Sequence, residues 1–200
     1  MTIDASEVRV AITGRIYTAP VGTALPESAT EVLGAEWVDL GYASTDGVTE
    51  SYEESQTSIA VWQNGDVVRR ITTESEARLA FTLVQTNRNT LEVYHKTSVM
   101  EAVPGETGQY RIAVRNPGTD VRSWVIDVVD GGEHIRIVAE RAEVTERGEI
   151  NYINSEAVGY PLTVTAYPVL LDPDNDVNGP YWKYSNSPSW AVEVEPDPNP

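Results

Sequence analysis

Apolar side chains recur at every second position through most of this 200-residue chain, and that period constrains its fold more than any other feature. Ala77, Leu79, Phe81 and Leu83 alternate with Arg78, Ala80, Thr82 and Val84. Leu162, Val164 and Ala166 oppose Thr163, Thr165 and Tyr167, and Ile135, Ile137 and Ala139 oppose His134, Arg136 and Glu140. Trp124, Ile126 and Val128 share one parity, as do Val8, Val10, Ile12 and Ile16. Successive side chains of a strand point to opposite faces, so each run predicts a half-buried strand with one core face and one polar face. Such strands belong to antiparallel sheets.

Turn chemistry separates the runs. Gly131-Gly132 between two alternating stretches predicts a hairpin of residues 121–129 with 133–144, because primed two-residue turns need positive φ. Further turns are expected at Ser44-Thr45-Asp46-Gly47, Asn64-Gly65-Asp66, Asn116-Pro117-Gly118 and Arg147-Gly148. One segment breaks the period. Residues 87–96 place Leu91 and Tyr94 three apart, an Asn near the start supplies a cap, and Asn89 with Glu92 has capping-box spacing, so one short amphipathic helix is predicted. Residues 18–36, 50–56 and 171–188 carry little period and read as long irregular segments, which in compact domains are usually functional or mobile. The expected fold is therefore mainly β: two packed antiparallel sheets, sandwich- or barrel-like, flanked by one short helix. Residues 1–194 read as a single domain and 195–200, with three prolines, as a flexible tail.

The absence of cysteine excludes disulfides and thiolate metal sites. No secretory signal is visible at the N-terminus, and the apolar runs are far shorter than the ~20 residues that span a bilayer, so synthesis in a cytoplasm and no membrane contact are expected. The formal net charge is −17, from 31 acidic and 14 basic residues. That sign opposes nucleic-acid affinity, which needs Lys and Arg to neutralise phosphate.

The search for catalytic chemistry returns nothing with a mechanism behind it. Nucleophile-elbow, phosphate-loop and dinucleotide motifs are absent. His95 and His134 are the only histidines, and abundant acids make any carboxylate pair uninformative. Asp174-Asn175-Asp176-Val177-Asn178-Gly179 matches half of a calcium loop, but Ser185 stands where the bidentate acid belongs, so a solvated turn is the better reading. No enzyme, cofactor or metal is expected. Tyr181, Trp182, Tyr184 and Trp190 cluster near the end; they suit buried packing or a subunit interface better than a carbohydrate platform, which stays an alternative.

Several motifs in order resemble the major tail tube proteins of long-tailed, siphovirus-type phages, especially those of actinobacteria. They are Gly41 to Ser51 (GYASTDGVTES), Trp62 in a polar stretch, Val68-Arg69, Thr73-Glu74, the junction Phe81 to Asn87, Ala142 to Glu146 and Gly159 to Pro168. The resemblance spans roughly residues 8–184; the 174–179 loop and the Pro-rich end depart from it. It implies hexameric rings stacked into a non-contractile tube that conducts DNA without specific binding. The implied partners are further copies, the tape-measure protein, and the tail terminator and distal tail proteins. The implied location is the virion tail, assembled in the host cytoplasm.

On that resemblance Glu53, Trp62, Val67, Val68 and Arg69 are expected to contact other subunits. Glu50, Glu54, Glu74, Glu76 and Arg78 are expected lumen candidates, with any lumen arginine offset by an acid. The acidic run Glu50–Gln56, with the hairpin that follows it to about Glu74, is expected to be loose in the free subunit and to order on stacking. The inner tube protein of a contractile injection system is the alternative within structural proteins.

Overall fold

The computed structural model describes residues 7–62, 64–97, 100–114 and 118–191. The expected turn at Asn116-Pro117 and the 195–200 tail lie outside the described residues. The strands are β1 (Thr13–Pro20), β2 (Val38–Asp39), β3 (Ala43–Ala60), β4 (Val67–Leu83), β5 (Met100–Ala102) and β6 (Tyr110–Ile112). They continue with β7 (Val121–Asp130), β8 (Glu133–Arg147), β9 (Tyr160–Ala166), β10 (Val169–Asp172), β11 (Val177–Gly179) and β12 (Trp182–Ser185). Among the described residues there is one α-helix, α1 (Arg88–His95), between β4 and β5. The mainly β, antiparallel architecture with one principal helix agrees with the sequence.

The main sheet runs β2-β1-β7-β8-β9-β4-β3, and all its pairings are antiparallel. The far edge of β8 is shared: β12 pairs with Ile135–Val138, and β9 pairs with Ala142–Arg147. The two expected layers are thus halves of one continuous sheet that curls. In a flat sheet β7 and β4, three strand spacings apart, would lie ~14 Å from one another. Yet the rings of Trp124 on β7 and Phe81 on β4 have centroids only 6.0 Å apart. Bulges between Arg122 and Trp124, and between Val144 and Glu146, supply local bend. Inside the curl lie Leu79, Leu83, Trp124, Ile126, Leu162 and Val164, and α1 closes it with Val93 and Tyr94. Each such fully buried apolar side chain contributes about 1.5–3 kcal/mol.

The one-core-face reading holds for the paired part of β4 and for β9 up to Val164, but not for β7 or β8, where Arg136 and Val138 are buried on the expected polar face. Trp124 and Ile126 are each 1% exposed, yet Val125 between them is 0% exposed. Val125 packs with Ala19, Trp37 and Val138 in a second cluster, which Leu25 and Leu33 from residues 21–37 help to cover. Arg136 of β8 anchors that covering segment. Its guanidinium pairs with Asp127 at 2.6 and 2.9 Å and donates to the Ser28 and Glu31 carbonyls at 3.2 and 2.7 Å.

Other expectations need correction. β1 begins at Thr13, and Val8, Val10 and Ile12 precede it, exposed. Residues 44–47 are not a turn but an irregularity within β3, where the register skips from Ala43↔Leu83 to Val48↔Phe81 and Gly47 has φ +68. Residues 50–56 are strand paired to β4, with a register shift between Ser55 and Gln56; beyond the half-buried Glu50 both faces are wet, so no apolar period marks them. The stretch 171–188 is likewise largely strand, containing β11 and β12. The helix is capped by Asn87, whose side chain accepts from the Thr90 amide at 2.9 Å, rather than by Asn89. The Gly131-Gly132 hairpin is as expected, with Asp130 paired to Glu133 and Gly131 at φ +60.

Candidate assembly interface

β4 pairs with β9 only from Ala77 to Leu83. Beyond the Tyr52↔Ala77 pair, β3 and β4 continue alone as a two-stranded ribbon to Ala60↔Val67, a reach of ~25 Å. Among its described residues the ribbon contains no buried one. It nonetheless carries Ile59, Val67, Val68 and Ile71 exposed, and Trp62 at its turn is 97% exposed. An isolated hairpin of this kind is marginal in water, and its strand edges are open to pairing.

The expected site residues divide by register. Glu53↔Glu76 and Ser51↔Arg78 are cross-strand pairs on one face, with Thr165 of β9 next in the row. Arg78 is held there by Glu76 at 2.8 Å, Glu53 at 3.1 Å and Glu146 at 3.7 Å. The hydrogen bond to Glu76 leads in raising its already high pKa. Glu74, paired to Ser55, continues this face. The neighbouring row, Thr49, Ala80 and Thr163, is small and uncharged.

Glu50 and Glu54 have the other parity, since Glu50 pairs with Leu79 of the core face. Glu50 is committed inward: Lys183 of β12 donates to it at 2.6 Å, Tyr52 at 3.0 Å, and the Tyr181 hydroxyl also donates to it. Burial alone would raise the Glu50 carboxyl, but the hydrogen bonds from Lys183, Tyr181 and Tyr52 outweigh it and hold the group below the usual carboxylate range. Burial, reinforced by the bond to Glu50, pushes the Tyr181 phenol far up. Sequence reading missed this network, because parity sets a face but does not say which distant strand covers it. It also passed over Arg70, which register pairs with Ser58 on the Glu54 face.

A family model described as phage tail tube protein matches residues 1–177. The chain belongs to the phage tail tube protein family. This tail tube protein is therefore a structural component of a phage tail. No curated protein sequence matches it. Among solved structures, it is similar at 12% identity and TM-score 0.38 to the sheath/tube terminator of an extracellular contractile injection system, PVC, in its extended state. That match covers 82% of this chain and 96% of the other. A second likeness, at 12% identity and TM-score 0.34, is to a chain of the anti-feeding prophage (AFP) baseplate, covering 82% and 92%. Likenesses this distant say nothing of function.

The remaining candidates of the tail tube protein are structural. Tyr181 lies in the main core, and Trp182 and Tyr184 pack on the second cluster, so three of the four late aromatics present no open platform. In the acidic loop Asp172 accepts from the amides of Asp174 and Asn175 at 3.0 and 3.3 Å, closing the turn between β10 and β11. Among the described residues no group of three or more His, Asp or Glu converges as metal ligands would.

Proposed function

We propose that this protein forms hexameric rings that stack into a non-contractile tail tube, through which DNA passes during ejection. The observation that carries the reading is the β3–β4 ribbon, which leaves the sheet with five exposed apolar side chains and no strand partner among the described residues. Burying them against another copy offsets the cost of ordering the ribbon. The contact is heterologous, the type that closes into rings or extends into filaments. Trp62, Val67, Val68 and Arg69 form this stacking surface, with Glu53 at its root.

The polar face of β3, β4 and β9 lines the lumen. Glu53, Glu74, Glu76 and Arg78 share it, and Arg78 is already surrounded by three acids, leaving no net basic ring to arrest phosphate. Glu50 is not on this wall. The tape-measure protein fills the lumen before DNA, and the terminator and distal tail proteins cap the two ends. Assembly takes place in the host cytoplasm.

Negative-stain imaging of the purified protein after sizing chromatography tests this. Six-fold rings or tubes support it; a monodisperse monomer at all concentrations contradicts it.

A further inference from the structure

The ribbon is charge-segregated along its length. Its root carries Glu53, Glu54, Glu74 and Glu76; its far end carries the adjacent Arg69 and Arg70, with one acid, Asp66, at the turn, where it accepts a hydrogen bond from the Asn64 side chain. By register each face has both signs, Glu54 toward Arg70 on one and Glu53, Glu74 and Glu76 toward Arg69 on the other. Most cations of this chain are matched to its own acids: among the described residues Arg9, Arg15, Arg78, Arg88, Lys96, Arg111, Arg122, Arg136 and Lys183 all form ion pairs. Of the other described cations Arg69, Arg70, Arg141 and Arg147 form none, and of these Arg69 and Arg70 are the two on the ribbon; at its root Glu54 and Glu74 form none either. Four or five residues of extended chain separate the two groups, roughly 13–17 Å. That exceeds the Debye length of about 8 Å at physiological ionic strength, so the charges within one ribbon do not satisfy each other.

We infer that the basic end of one ribbon, Arg69 and Arg70, docks on the acidic root, Glu54 and Glu74, of a second copy in the adjacent ring. The inference rests on the tube reading and specifies its stacking contact. An element with opposite, unmatched charges at its two ends is complementary to a shifted copy of itself, which is what a repeating head-to-tail contact requires. It also gives stacking a direction. Copies of net charge −17 repel in general, so a local reversal of sign at the ribbon's end selects one approach over the others.

Charge reversal of the full-length chain tests the contact. One variant carries Arg69→Glu with Arg70→Glu, a second Glu54→Arg with Glu74→Arg, and a third all four. Among the described residues these side chains have no ion-pair partner, so circular dichroism and melting should match wild type. Each double variant alone should yield at least about tenfold less sedimentable tube. The quadruple variant should regain tubes, and so should an equimolar mixture of the two double variants, whose ends and roots are then complementary. A folded double variant that assembles like wild type overturns the contact, as does failure of both the quadruple variant and the mixture. Wild-type binding to duplex DNA that Arg69→Glu with Arg70→Glu abolishes, with tubes unaffected, assigns the arginines to nucleic acid and also overturns it. Wild-type protein that forms no tubes removes the tube reading itself and this contact with it.

Discussion

Lys183 Nζ lies 2.6 Å from Glu50 Oε2, joining β12 to β3 just before the ribbon leaves the sheet. The pair fixes the ribbon's root from the core side, where Tyr52 and Tyr181 complete the network. Replacing Lys183 by Met keeps the aliphatic stem and removes the ammonium. Amides of residues 50–54 should then exchange hydrogen faster, while those of β7 and β8 keep their protection; unchanged exchange at the root would mean that the pair does not brace it.

The same network sets an acid dependence. Glu50 in the folded chain is held below its unfolded value of about 4.3. Its contribution to stability is therefore fully present above ~4.3 and is lost as pH falls through the lower folded value. Melting curves taken across that window should show a shallower acid decline for Glu50→Gln than for wild type. An identical decline in both would remove Glu50 from the account.

His95 acts in the same direction over a higher window. Burial, and then the neighbouring Arg147 charge, lower its folded pKa below the ordinary value near 6.5. The unfolded chain binds this proton more readily, so stability should fall as pH drops below ~6.5 toward the folded value. In His95→Gln that part of the decline should vanish in chemical denaturation measured at successive pH values.

Arg136 is 5% exposed and binds Asp127 together with two carbonyls of the covering segment. Arg136→Ala leaves a mostly buried carboxylate unpaired and should cost about 3–5 kcal/mol in denaturant unfolding. Proteolysis within residues 21–37 should rise in parallel, since that segment loses its anchor.

Gly14 sits where an added Cβ would stand 2.4 Å from the Asp127 carbonyl oxygen, a backbone atom with little room to give. Gly14→Ala should force β1 from β7 and lower stability by about 1–3 kcal/mol, read as a drop in melting temperature.

How much of this was legible in the sequence follows from where water lies. The strand 77–83 could be read because one face is wet and the other dry, which is the condition that writes a period of two. Val125 and Val138 broke that reading because a segment without regular structure covers their face, and no local pattern announces such a cover. The start of the ribbon, residues 51–56, failed in the opposite way: wet on both faces, it lacks an apolar period and resembles loop, whereas the hairpin beyond it was expected. Arg136 was within reach. Counting outward from Gly131-Gly132 sets Asp127 opposite Arg136, and a charge pair in apolar strands signals burial with a partner. The Glu50–Lys183 pair was not, since it depends on β12 sharing the edge of β8 with β9.

The central claim is that the ribbon serves contacts between copies and not the fold of its own. Excising residues 58–70 and closing the paired Thr57 and Ile71 with Asn-Gly removes its far half and, among the described residues, no buried side chain. Electron microscopy of this variant, alongside its melting curve, is the most direct measurement. A folded protein with an unchanged melting temperature that no longer forms tubes is the predicted result. A variant that unfolds, or that still assembles into tubes, contradicts the account.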